Sequence, residues 1–220
     1  MSMRIAGLTT CVDYADFLER TLPAWTAGLD DTLVVTAPRD HATLELCARH
    51  GVRTHATDVF FAYGASFNKG GALDEGVTVL APVDWLLIFD ADCLPPPSWR
   101  DQLEAAPPVP GHIYGGGRTD EDGTPMSLVG LVLGFLQLFH VTDPAMQERP
   151  LFGDWSSAAA YDVVFAERWP RALWRRVPFT VVHLGESNVH WCGRGNAAGM
   201  AQLRANRKRH GWQHERLRRG

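Results

Sequence analysis

The stretch "WLLIFDADCLPPPSW", Trp85 to Trp99, decides the fold. Its opening residues, Trp85 to Phe89, are apolar without alternation, which predicts a strand covered on both faces. Asp90 and Asp92 follow two apart, so on an extended chain they point the same way. Pro95, Pro96 and Pro97 then forbid a continuing central strand. The carboxylates therefore sit where an interior strand breaks into a loop. Two anions on one face repel unless a cation lies between them, and a hard divalent ion that also holds phosphates is the usual one.

Working back from Trp85, strand and helix patterns alternate. "MRIAGLTT" is a short apolar strand ending in hydroxyls, and "DTLVVTAP" and "VRTHAT" read as the next two strands. Between them, "DYADFLERTLPAWTA" has helical spacing, with Asp13 or Asp16 as its cap, and "DHATLELCARHG" is a short helix with Asp40 near its N-cap and Gly51 at its stop. "SFNKGGALDEGVTVL" opens a further helix before the Trp85 strand. This order predicts an α/β fold, a mostly parallel sheet flanked by helices in a single domain. Ligands of such sheets collect at the carboxyl ends of the strands. Thr9, Thr10, Thr36, Asp40, Asp58, Asp90 and Asp92 all fall there.

After Pro97 the pattern changes. "HIYGGGR" reads as a strand with a glycine-rich exit, and the apolar run Ser127 to Phe139 as a buried element lining a pocket. "FGDWSSAAAYDVVFAERWP" is a loop opening a helix with Tyr161, Val164 and Phe165 on one face, and "FTVVHLG" is a late strand broken by Gly185.

The chain of 220 residues is 45% hydrophobic and 21% charged, an ordinary globular composition with mean hydropathy -0.14. A net charge of -4 gives no overall bias toward nucleic acid or anionic membranes. From Arg194 to Arg219, however, eight Arg or Lys residues stand against one acid, Glu215. A solvated helix explains such a tail, and a phosphate-backbone contact is the rival reading. Cys11, Cys47, Cys93 and Cys192 are widely spaced with no CxxC pair, which argues against zinc and fits a reducing compartment. No signal peptide pattern is read, and the longest apolar run falls short of the about 20 residues that span a bilayer. A cytoplasmic protein is expected, in the host cytoplasm if viral.

These features together resemble the GT-A glycosyltransferases, in particular the galactosyltransferase-like and family-two-like members. The resemblance rests on "FNKGGALDEG" (Phe67 to Gly76), followed some twenty residues on by "FDADCLPP" (Phe89 to Pro96), and it covers Met3 to Gly195. It implies a UDP-sugar donor, a bound Mn2+ or Mg2+ ion, and three regions: residues 1–97 for the nucleotide-sugar, 98–195 for the acceptor side, and 196–220 as a basic tail. Metal ligation is implied for Asp92, for Asp90 (which can instead meet the ribose) and for His183, with His190 as rival. Lys69 suits phosphate or the base edge, and Asn68 is a site residue or the turn residue alone. Asp40 holds uracil or caps its helix. Thr9, Thr10 and Val12 line the base slot or simply pack. Trp155 stacks on a sugar or belongs to the core, and Trp191 covers the nucleotide or fills space.

An inverting transfer needs a carboxylate to take the acceptor proton. Asp162 has the family's place for it, at a helix start after a loop with Trp and Gly, and Asp154 is the second candidate. The family's cluster of consecutive acids is missing. The acceptor is a hydroxyl compound, and by analogy with phage enzymes the basic tail extends the candidates to hydroxymethylated DNA bases. Polysaccharide or small-molecule acceptors, and a sugar-nucleotide-binding protein without transfer activity, are the alternatives. A nucleotidyltransferase is disfavoured, because "LTTCVDYADF" offers no glycine-rich loop after the first strand.

Overall fold

The computed structural model describes residues 3–126 and 132–210. The first half is built as β1 (Ile5–Thr10), α1 (Ala15–Thr26), β2 (Asp31–Thr36), α2 (His41–Arg49), β3 (Arg53–Ala56), α3 (Lys69–Val79) and β4 (Trp85–Phe89). The second half adds β5 (Cys93–Leu94), α4 (Trp99–Ala105), β6 (Ile113–Asp120), β7 (Leu136–His140), α5 (Tyr161–Ala166), β8 (Trp174–His183) and α6 (Ala197–His210). All eight strands form one sheet in the order β3-β2-β1-β4-β7-β6-β8-β5. The β3-β2-β1-β4 half is parallel, β7 enters antiparallel to both β4 and β6, and β6 and β8 are again parallel.

The lack of alternation in β4 has its cause here. Leu86 and Ile88 pack with Ala6, Leu8 and Phe165 on one face, and Leu87 and Phe89 with Ile5, Trp25 and Trp99 on the other. Both faces exclude water, so every position favours an apolar side chain. On the first face α3 lies close to the sheet because Gly76 has no side chain. A Cβ there would stand 2.7 Å from Leu8 and 2.8 Å from Val35. That approach carries the N-terminus of α3 to the carboxyl ends of β1 and β4.

Two expectations need correction. Neither Asp13 nor Asp16 caps α1, whose N-cap is Tyr14 with no side-chain bond; Asp16 instead pairs with Arg194, Oδ2 to Nη2 at 2.9 Å. The apolar run from Ser127 does not end as a pocket lining. Its last residues form β7, buried inside the sheet, because pairing with β4 satisfies the backbone groups of both strands. Residues 127–131 of that run lie outside the described residues.

Candidate active site

β1 sits between β2 and β4, and the chain crosses to opposite sides of it, so β1/β4 is the switch point where a crevice opens beyond the strand ends. An open cleft lies there, lined by Thr10 and Val12 from the β1 exit, and by Asp90 and Asp92 from the β4 exit. Lys69 and several residues between His183 and Arg194 form further parts of its walls.

The turn after β4 is fixed from two sides. Cys93 N donates to Asp90 O at 3.1 Å, and Leu184 N donates to Asp92 O at 2.8 Å. β5 then pairs antiparallel with β8, placing Cys93 opposite His183. Asp92 therefore faces the end of β8, and its Oδ2 lies 3.4 Å from His183 Nε2. The other ring nitrogen of His183 is 3.3 Å from Ser187 Oγ, which donates to Asp120 Oδ1 at 2.9 Å. The histidine is 6% exposed and is held by groups on both sides.

Asp90 has a different partner, the Lys69 ammonium. Lys69 is the first residue of α3 and is 8% exposed, with its ammonium 5.4 Å from the centre of the Tyr161 ring. Burial alone lowers a lysine pKa, but Asp90 and Tyr161 outweigh it and hold the ammonium charged well above its ordinary range. Burial pushes Asp90 up, against the pull of Lys69. Burial also opposes ionisation of Asp92, yet the His183 contact prevails and lowers it. The two carboxylates that share a face are thus shifted in opposite directions, Asp90 up by burial and Asp92 down by its contact with His183.

A divalent ion fits this donor set in part. Two ligands about 2.1 Å from one ion stand roughly 3.0–3.4 Å apart for octahedral to tetrahedral angles, and the Asp92–His183 separation of 3.4 Å falls there. Among the described residues no group of three His, Cys, Asp or Glu side chains is assembled for a metal. Asp90, the further expected ligand, is engaged with Lys69. His190, the rival, lines the cleft edge-on to Tyr14 at 5.3 Å, and burial and then Arg194 lower its pKa.

The remaining expected residues divide by burial. Asn68, fully buried, is the N-cap of α3: its Oδ1 accepts from Gly71 N at 3.0 Å and Trp155 N at 2.9 Å, and its Nδ2 donates to Asp154 Oδ1 at 2.9 Å. Asp154 is buried with it. Trp155 belongs to the core, its Nε1 donating to Phe152 O at 2.7 Å and its ring against Gly70. Asp40 caps α2 and is buried away from the cleft, accepting from Thr43 N and Oγ1, Thr36 Oγ1 and Asp13 N. Thr9 is fully buried within β1, whereas Thr10 and Val12 reach the cleft. Trp191 lines the cleft beneath the Arg207 guanidinium of α6, 4.4 Å from the ring centre. Asp162 opens α5, and its Oδ2 accepts from Gly134 N at 2.7 Å. Burial raises its pKa against the Gly134 and Val163 N–H bonds, and Lys69 and Asp90 are near enough to act on it.

Sequence reasoning missed Arg118, Tyr14 and Arg194, which all line the cleft. Arg118 follows "YGGG" in β6, lies over the Phe135 ring at 5.2 Å, and its buried Nε has no partner among the described residues. A cation directly after three small residues on a strand was a readable signal.

No protein-family model matches the chain, and no curated protein matches it in sequence. Solved structures do match in shape. Mannosyl-3-phosphoglycerate synthase from Rubrobacter xylanophilus aligns with a TM-score of 0.58 at 17% identity, over 96% of this chain and 76% of that one. Glucosyl-3-phosphoglycerate synthase from Mycobacterium tuberculosis, in complex with Mn2+ and UDP-glucose, aligns with a TM-score of 0.58 at 12% identity, over 93% and 77%. The same enzyme with Mn2+, UDP and glucosyl-3-phosphoglycerate gives 0.56 at 13%, over 84% and 73%. At these identities the likeness is one of architecture: the chain has the fold of GT-A glycosyltransferases.

Proposed function

We propose that the protein is a metal-dependent glycosyltransferase that moves a sugar from a UDP-sugar to a hydroxyl acceptor. The observation that carries this reading is the Asp92–His183 donor pair, 3.4 Å apart beside Lys69 at the switch point of the sheet. Structures of the same fold that bind Mn2+ and UDP support it. Asp92 and His183 are the ligands, and an imidazole among them favours Mn2+ over Mg2+. A bound ion of this kind supplies Lewis-acid neutralisation of a leaving diphosphate. Lys69 and the N-terminus of α3 add positive potential for the same oxygens, with Asp90 keeping the ammonium in place.

Asp162 is the base of an inverting transfer. Asp154 is the weaker candidate, because its carboxylate ties the α3 cap to the following loop. Residues 1–97 supply most of the donor side, 98–195 the acceptor side, and 196–220 the basic tail. The acceptor carries negative charge: Arg204, Lys208 and Arg209 are exposed on the helix whose Arg207 covers Trp191. A hydroxymethylated DNA base is the polymeric acceptor of that kind, and 3-phosphoglycerate, named for the structural neighbours, is the small one.

Thermal melting with UDP and MnCl2 tests the donor site, since a ligand of the native state raises the melting point. UDP is expected to stabilise the protein only with the divalent ion, and Asp92→Asn and His183→Ala are each expected to remove the effect. Equal stabilisation in EDTA overturns the reading.

A further inference from the structure

β6 and β8 run parallel with Asp120 in register with His183, so the carboxyl ends of the two strands lie side by side. Arg118 and Asp120 are two apart on β6 and face the same way. The turn after β6 is closed by Asp120 N donating to Thr124 O and Gly123 N donating to Asp120 O, both at 2.9 Å. The turn after β8 is clamped to it. Gly185 N donates to Glu121 Oε2 at 3.0 Å, and Arg20 Nη2 holds the same carboxylate at 2.8 Å. Ser187 is thereby brought to the end of β6.

Ser187 Oγ has three polar neighbours, and their chemistry leaves one place for its proton. Arg118 Nη2, 3.3 Å away, can only donate. The Asp120 carboxylate can only accept, so its Oδ1 takes the serine O–H at 2.9 Å. The remaining neighbour is His183 Nδ1 at 3.3 Å. A hydroxyl that has given its only proton to Asp120 meets a ring nitrogen as an acceptor, so Nδ1 carries a hydrogen. In the neutral ring the lone pair is then on Nε2, which faces Asp92 Oδ2 at 3.4 Å. Two acceptors that face each other at this distance are complementary to a cation between them. Without Asp120 the hydroxyl is free to turn its proton toward Nδ1, and the ring would present an N–H to that cation instead.

Resting on the glycosyltransferase reading, we propose that Asp120 and Ser187 are positioning residues that hold His183 as the Nδ1–H tautomer and so present Nε2 to the divalent ion. Neither is among the residues that line the cleft. They act through the histidine, because the group bonded to one ring nitrogen decides what the other nitrogen can do.

Two measurements decide it. The first uses metal-free protein with isotope-labelled histidine, at a pH where the ring is neutral. Long-range proton–nitrogen correlation spectra identify the tautomer, and His183 is assigned by the signal missing from His183→Gln. The wild type is expected to be Nδ1–H, and Ser187→Ala and Asp120→Ala are expected to lose that preference. An Nε2–H wild type, or unchanged Nδ1–H in both variants, overturns the inference. The second measurement follows the paramagnetic resonance signal of free Mn2+ as MnCl2 is titrated into protein with UDP. Both alanine variants are expected to raise the Kd for Mn2+ about 10–100-fold, the usual cost of losing such a partner. Ser187→Thr keeps the hydroxyl and is expected to stay within about threefold of the wild type. Wild-type affinity in both alanine variants, or an equal loss in Ser187→Thr, overturns the inference and leaves the glycosyltransferase reading standing. Absence of Mn2+ binding by the wild type overturns both.

Discussion

A general base acts on the acceptor and leaves donor binding alone, so Asp162 can be tested by separating the two. Asp162→Asn is expected to keep the affinity for a UDP-sugar and to lower kcat about 10²–10⁴-fold in a steady-state transfer assay. The pH profile gives a second check. The base works ionised, and burial raises its folded pKa above the ordinary carboxylate value of about 4. Activity is therefore expected to fall as pH decreases through a midpoint above that value, and the limb is expected to disappear from the residual rate of Asp162→Asn. A fully active Asp162→Asn alongside an inert Asp154→Asn reassigns the base. Residue types at this scale were legible where local geometry alone decides: Asp90 and Asp92 at a strand end, Asp40 before a helix. Partners were not. Nothing near Asp40 in the sequence says that it also holds the backbone of Asp13, and nothing near Asp154 says that it meets Asn68, 86 positions away.

At the scale of elements, α3 and the segment before α5 behave as one unit. Asp74, inside α3, accepts from the backbone N–H groups of Leu151, Phe152 and Gly153 at 2.8, 3.1 and 2.8 Å. Asn68, at the start of the helix, accepts from Gly71 N and Trp155 N. The helix that carries Lys69 is thereby tied to the loop that leads to Asp162. Asn68→Ala removes an N-cap and leaves a buried N–H unpaired, so it is expected to cost about 2–4 kcal/mol in urea unfolding. Asn68→Asp restores the acceptor to both N–H groups but sets a carboxylate against Asp154, and is expected to recover less than half of that loss. α1, α2, α3, α5 and the first four strands could be read from local pattern, whereas α4, a short helix directly after three prolines, was not read. The place of β7 between β4 and β6 could not, because pairing across dozens of residues leaves no spacing signal and part of its apolar approach has no alternation.

At the scale of the whole molecule, the C-terminal helix packs against residues of the cleft wall. Met200 of α6 is buried, Arg204 Nη2 donates to Asn188 O at 3.3 Å, and Arg207 covers Trp191. Asn188 and Trp191 both line the cleft. A tail that the charge run alone presents as solvated is therefore partly packed behind the cleft residues Asn188 and Trp191, and partly an exposed basic face formed by Arg204, Lys208 and Arg209. Arg216, Arg218 and Arg219 continue the charge outside the described residues. The two roles come apart by substitution. Arg207→Ala uncovers Trp191 and is expected to weaken UDP binding several-fold, a loss on the order of 1 kcal/mol for a cation–π contact. Lys208→Gln with Arg209→Gln touches no cleft residue and is expected to leave UDP affinity unchanged. The same double variant distinguishes the acceptors. If duplex DNA carries the acceptor hydroxyl, its binding weakens steeply with salt, because each neutralised phosphate releases a counterion, and losing two cations lowers the log–log salt slope by about 1.8. Gel shifts on plain and hydroxymethylated duplexes across a salt series read that change directly. Absence of any duplex binding at moderate salt, with sugar transferred to a small anionic hydroxy acid, excludes DNA and assigns the exposed basic face to attracting that small acceptor.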